Sequence, residues 1–116
     1  MNNPLRGETQ INLGTETYNA RLTIDSLIKI EEEMGVGLIR FVQDLSENMD
    51  ISISNQITIL YHALRGGGND FSITDIKKII VDAGILECTK EILTLVTSAL
   101  NDEEDDSEEK KAEVGA

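Results

Sequence analysis

Residues 8–35 read ETQINLGTETYNARLTIDSLIKIEEEMG, and the spacing of their apolar positions changes once along the way. Up to Leu22 the period is two: Thr9, Ile11 and Leu13 share one face, Gly14-Thr15-Glu16 supplies turn chemistry, and Tyr18, Ala20 and Leu22 resume the alternation. From Thr23 the pattern becomes helical. Thr23 is placed to cap, Asp25 sits in the first turn where the helix dipole favours it, Ile24, Leu27, Ile28 and Met34 follow helical spacing, and Gly35 ends the run. This stretch predicts a β-hairpin that feeds a helix. Two strands alone bury too little surface to hold in water, so the hairpin must lie on a larger helical body.

The rest of the chain supplies that body. After Gly35-Val36-Gly37, the positions Leu38, Phe41 or Val42, and Leu45 give a second helix that runs out near Glu47 to Asp50. A third starts at Ser52 or Ser54 and reaches Arg65, with Ile53, Ile57, Leu60, Tyr61 and Leu64 on one face, and Gly66-Gly67-Gly68 stops it. Ser72 with Asp75 forms an acidic variant of the capping box and opens a fourth helix through Ile76, Ile79 and Ile80 to Gly84. The fifth and longest, Ile85 to Leu100, carries Ile85, Cys88 or Thr89, Ile92, Leu93, Val96, Ala99 and Leu100 at helical spacing. The expected fold class is α+β, mainly α: an N-terminal β-hairpin followed by about five short helices. Residues 1–101 are expected to form a single compact domain, the hairpin at 8–22 and the helical part at 23–101. Residues 102–116, almost devoid of apolar side chains, are expected to be a disordered acidic tail.

Composition narrows the function classes. The 116 residues suffice for one hydrophobic core. With aromatics at 3% and no Trp, that core must consist of Ile, Leu and Val. The net charge is −12, and the tail, with eight carboxylates against two lysines, carries half of it. Such a charge repels phosphate backbones and anionic membranes, so neither nucleic acid nor a membrane is an expected partner, whereas a basic protein surface is compatible. A single cysteine, Cys88, excludes an intramolecular disulfide and points to a reducing compartment. The first residues lack an apolar stretch of signal-peptide length, and no run approaches the roughly 20 apolar residues of a membrane span. A cytosolic location is expected.

No residue constellation points to catalysis. His62 is the sole histidine and has no His or Cys at metal-ligand spacing. Cys88 falls on the apolar side of its helix, where a cysteine is a small core residue rather than a thiolate nucleophile. Ser52, Ser54 and Ser72 read as helix caps, since no Gly-x-Ser-x-Gly elbow surrounds them. Gly66-Gly67-Gly68-Asn69-Asp70 lacks the Lys and Ser/Thr of a phosphate loop and reads as a hinge or exposed connector that lets the third and fourth helices splay. The run from Asp102 to Glu109 lacks the glycine and ligand spacing of an EF-hand, and Glu31-Glu32-Glu33 reads as a solvated helix face. Catalytic, cofactor and metal residues are therefore expected to be absent. Residues expected to face a partner are Leu60, Leu64, Leu93 and Val96, because the later helices carry apolar positions on more than one side.

One ordered set of short motifs goes beyond composition. Asn3-Pro4-Leu5-Arg6-Gly7-Glu8, the Gly14 turn, Arg21-Leu22-Thr23 leading into a helix with Glu31 and Gly35, Leu64-Arg65-Gly66-Gly67-Gly68, and Asp82-Ala83-Gly84 follow one another along the chain. In this order they resemble the phage tail assembly proteins related to gene product ten of gene transfer agents. Those are grouped with phage tail assembly chaperones and sometimes labelled tail tube proteins. The resemblance spans about residues 3 to 100; it departs from the family pattern at Ile24 and Asp25, where a more aromatic or alanine-rich helix start is common, and in the Ile-rich helices. It implies a non-enzymatic chaperone of tail morphogenesis, without cofactors, that binds tape measure protein and tail tube protein in the cytoplasm of the bacterial host. A homo-oligomer stays open. Two other readings stand beside it: a structural tail component of a virion, and an acidic regulatory protein that occupies a basic site on another protein.

Overall fold

A computed structural model describes the backbone of residues 8–115 and the side chains of residues 8–101. The first motif, at residues 3–7, lies outside the described residues, and over 102–116, where a disordered acidic tail is expected, no side chain is described. The elements are β1 (Glu8–Leu13), β2 (Glu16–Arg21), α1 (Ile24–Met34), α2 (Leu38–Asn48), α3 (Ile53–Gly66), α4 (Ile73–Ala83) and α5 (Ile85–Gly115). The hairpin and the five helices make the chain α+β, mainly α, as its periodicity predicts.

The strands pair antiparallel from Glu8 opposite Arg21 to Leu13 opposite Glu16, which leaves Gly14 and Thr15 as a two-residue turn. Gly14 has a φ of 69° and Thr15 does not have a positive one, the pattern of a II′ turn, whose twist matches that of the strands. Alternation then puts Ile11, Leu13 and Ala20 into the core, with Leu22 just beyond β2.

Three helices, α1, α3 and α4, begin where the sequence offers a side-chain cap. The Thr23 hydroxyl accepts from the Ser26 amide at 3.1 Å, and the Ser52 hydroxyl accepts from the Asn55 amide at 3.1 Å. At α4 the reciprocal box is complete: the Asp75 amide donates to Ser72 Oγ at 3.1 Å and the Ser72 amide donates to Asp75 Oδ2 at 2.9 Å. Such caps contribute about 1 kcal/mol each. At α2 the cap residue is Gly37, which has no side chain, and Glu31 substitutes: its Oε2 accepts from the Leu38 amide at 2.9 Å. Glu31 is thus not merely part of a solvated face, because it ties the end of α1 to the start of α2.

The apolar faces are rotated from the sequence reading in two helices. In α1 the buried positions are Leu27 and Ile30, while Ile24 and Ile28 stand about half exposed. In α3 they are Gln56, Ile59, Leu60, Ala63 and Leu64, while Ile53 is 50% exposed and Ile57 half-buried. The cause is the central position of α3, which touches β2, α1, α4 and α5. An element with neighbours on most sides buries a wider stripe than a surface helix does. In α5, Leu95 joins Cys88, Ile92, Val96 and Ala99 in the same core cluster.

The C-terminal end of α3 covers the open edge of the hairpin. The Gly67 amide donates to the carbonyls of Ala63 and Leu64, and the Asn69 amide closes on Leu64 O at 3.0 Å. Asn69 Nδ2 then donates to Asn19 O at 2.8 Å and to Leu64 O at 3.1 Å, linking the strand to the helix end. A Cβ on Gly66 would overlap the Arg21 carbonyl oxygen, and one on Gly67 would overlap the backbone of Asn19 and Ala20. The triplet expected to act as a hinge is therefore a contact of backbone against backbone at its first two positions. It occupies the unpaired edge of β2, which would otherwise invite pairing with another chain.

Candidate functional site

The residues expected to meet a partner lie inside. Leu60, Leu64 and Val96 are 0% exposed and belong to the core, and Leu93 is half-buried against it. The same stripe that holds α3 and α5 together cannot also offer its side chains to another protein. Apolar surface that the fold leaves uncovered is found elsewhere, at the other end of α3.

There the N-terminal part of α3, one face of α4 and the first residue of α5 enclose a groove of about 520 Å³ lined by Ile53, Ile57, Lys77, Ile80, Val81, Gly84 and Ile85. Ile53 and Ile57 are one helical turn apart on α3. Lys77, Val81 and Gly84 succeed one another along one face of α4 and its cap, with Ile80 buried beneath them. Three of the aliphatic side chains remain largely in solvent: Ile53 at 50%, Val81 at 77% and Ile85 at 48% exposed. Leu86, which follows Ile85, is 60% exposed. An exposed apolar concavity of this kind is the usual form of a protein-binding groove.

Polar groups under the groove fix its geometry. Gln56, fully buried, donates from Nε2 to Ile85 O at 3.2 Å and to Thr89 Oγ1 at 2.7 Å, and Thr89 Oγ1 itself donates to Ile85 O at 2.9 Å. This network holds the first turn of α5 on α3 and so places Ile85 at the groove wall. Gln56 Oε1 is buried without a hydrogen-bond partner, a desolvation cost of about 1–3 kcal/mol that the two donated bonds help to offset.

A second hollow lies between Tyr18 of β2, the α3–α4 connection and α4. Tyr18 meets Phe71 edge to face, with ring centroids 5.8 Å apart at 84°. Asp70, Asp75, Lys78, Ile79 and Asp82 complete its wall. Burial, and then the carboxylates of Glu16 and Asp82, push the Tyr18 phenol above its ordinary pKa. Two of the acids are already engaged, Asp75 in its capping box and Asp70 with Arg65 Nη1 at 3.2 Å. Arg65 also covers the Tyr61 ring at 5.3 Å, so this corner is occupied by its own side chains.

The reactive side chains do not converge. His62 Nε2 stands 3.2 Å from Glu33 Oε2, which ties α3 to α1 at the surface. Cys88 is 0% exposed, and burial with the nearby Glu87 and Glu91 pushes its thiol up to about 11. Ser52 and Ser72 cap helices, whereas Ser54 makes no cap. Among the described residues, no group of three or more His, Cys, Asp or Glu is placed to hold a metal ion, and no helix is long and apolar enough to cross a membrane.

Sequence reasoning missed the groove because it assigned Ile53 and Ile57 to the buried face. The available signal was surplus: Ile53, Val81, Ile85 and Leu86 are more aliphatic positions than the core stripes of their helices require.

No curated protein and no solved structure is similar enough to the chain to count as a match. A family model, described as phage tail tube protein, GTA-gp10, matches residues 6–102. That span holds both strands, α1 to α4, the part of α5 whose side chains are described, and the whole of the groove. The chain therefore belongs to the family of phage tail tube proteins of the GTA-gp10 type.

Proposed function

We propose that the protein is a non-enzymatic tail assembly chaperone, which holds the tape measure protein and tail tube protein in the cytoplasm of the bacterial host while a phage tail is built. The single observation that carries this reading is the exposed aliphatic groove of Ile53, Ile57, Val81 and Ile85 on a member of a tail protein family. An elongated helical chain with an apolar face is prone to aggregate, and a groove of branched aliphatic side chains can cover part of that face. The net charge of −12 keeps the resulting complex soluble by repulsion between copies. The scattered positions of His62, Cys88 and the serines agree with a protein that acts by binding.

Co-expression with the tape measure protein of the same phage is the test. A rise in soluble tape measure protein, with the two eluting together on gel filtration, is expected. No rise and no complex would remove the reading.

The family description names a tail tube protein, which favours a second reading: a structural subunit retained in the tail. A tube wall built from strands of neighbouring subunits needs long strands, and the described residues contain one two-stranded sheet of six-residue strands. Mass spectrometry of purified particles separates the two, because a chaperone leaves before the tail is complete.

A further inference from the structure

We propose that the groove between α3, α4 and α5 receives about two turns of an amphipathic partner helix carrying a carboxylate at the edge of its aliphatic anchors, and that Lys77 selects that charge. This rests on the chaperone reading and deepens it, by naming what kind of segment the groove takes.

The groove's dimensions set the length. Lys77, Val81 and Gly84 form its α4 wall, and seven residues of helix rise about 10 Å, or two turns. Gly84 leaves that wall open at one end, since nothing lies within 4 Å of the place a Cβ would take. Opposite stand Ile53 and Ile57, a turn apart, which would interleave with anchors a turn apart on the incoming helix.

Its charge sets the sign. Lys77 is the charged residue in the lining, and it has no ion pair with any described residue. The other lysine of that turn, Lys78, faces the separate hollow beside Tyr18. Lys77 is exposed, and its ammonium group attracts an incoming carboxylate and repels an incoming lysine or arginine. A second copy of the chain is a poor occupant, because two bodies of charge −12 repel each other before the groove is reached.

The test uses the full chain and two synthetic helical peptides with Leu and Ile along one face, identical except for Glu or Lys at one flanking position. Fluorescence anisotropy should show the Glu peptide binding about three- to tenfold more tightly. Lys77→Glu should reverse the order, and Val81→Asp, at a position 77% exposed and thus harmless to folding, should remove both. Equal affinities, an order unmoved by Lys77→Glu, or dimerisation that Val81→Asp suppresses would each overturn the proposal. Tape measure solubilisation is followed in parallel. If it persists while the peptide order fails, only the groove assignment falls; if the native chain gives none, the chaperone reading falls with it.

Discussion

The two ends of α3 meet their neighbours in opposite ways. At the C-terminal end, Gly66 and Gly67 have no side chain, and the helix backbone rests directly on the carbonyls of β2. At the N-terminal end, Ile53 and Ile57 reach across open space towards Val81 and Ile85. The first contact exists because side chains are missing, the second because more are present than the core consumes. Close backbone contact tolerates no substitution, whereas surplus apolar surface tolerates many and is free for a partner. If the groove binds as proposed, fold and function draw on different ends of one helix.

The largest effect should come from breaking the tight end. Gly67→Ala puts a methyl group into the Asn19 and Ala20 backbone, which cannot yield as the tip of a side chain can. We expect a loss of more than about 3 kcal/mol, seen as insoluble expression or a melting temperature lower by more than about 10 °C. Gly68→Ala is the control. It has open space but a φ of 98°, so about 1–2 kcal/mol is expected from backbone strain alone. Equal effects at the two positions would refute the close-contact account.

Next come the two faces of α3. Ile59 is 0% exposed, and Ile59→Ala should cost about 2–5 kcal/mol in urea denaturation. Ile53, at 50% exposed, should cost within about 0.5 kcal/mol when changed to Ala. Between these two lies Ser72→Ala, which removes the capping box of α4 and should cost about 1 kcal/mol while leaving the groove in place.

Most of the architecture was legible in the sequence because it depends on local chemistry. The alternation from Thr9 to Leu22, the caps at Thr23 and Ser72 and the stop at Gly35 act within a few residues of themselves, and the structure places them as read. Helix orientation was not legible to the same degree. Whether Ile53 or Ile59 faces inward depends on where β2, α1, α4 and α5 lie around α3, and the period of a single helix does not contain that information. The glycine triplet shows the same limit. Its composition is compatible with a hinge or with close contact, and only the position of Asn19 and Arg21 across from it decides. The partner-facing residues meet the same limit: the sequence reads Leu60, Leu64 and Val96 as surplus, the structure buries them, and the uncovered apolar side chains lie a turn or more away.

The smallest expected effect sharpens the comparison from the groove side. Ile85 stands in the groove wall and Cys88, three residues on, is wholly buried, so one turn of α5 passes from solvent to core. In the folded chain the thiol titrates near 11, above its ordinary value of 9.0. An unfolded chain thus releases this proton at lower pH than the folded one. The favourable contribution of the neutral buried thiol is complete below pH 9.0 and is lost as pH rises towards about 11. Tyr18 acts in the same direction, but only above its ordinary 10.0. Urea midpoints between pH 8 and 10 should fall slightly for the native sequence and less for Cys88→Ala, and iodoacetamide at pH 8 should leave native Cys88 unmodified while labelling it in urea. Rapid labelling without urea would mean that the first turns of α5 open in solution. The groove would then have no fixed wall at Ile85, and the distinction between a close-packed end and an open end of α3 would give way to a molecule that is mobile at the proposed binding groove.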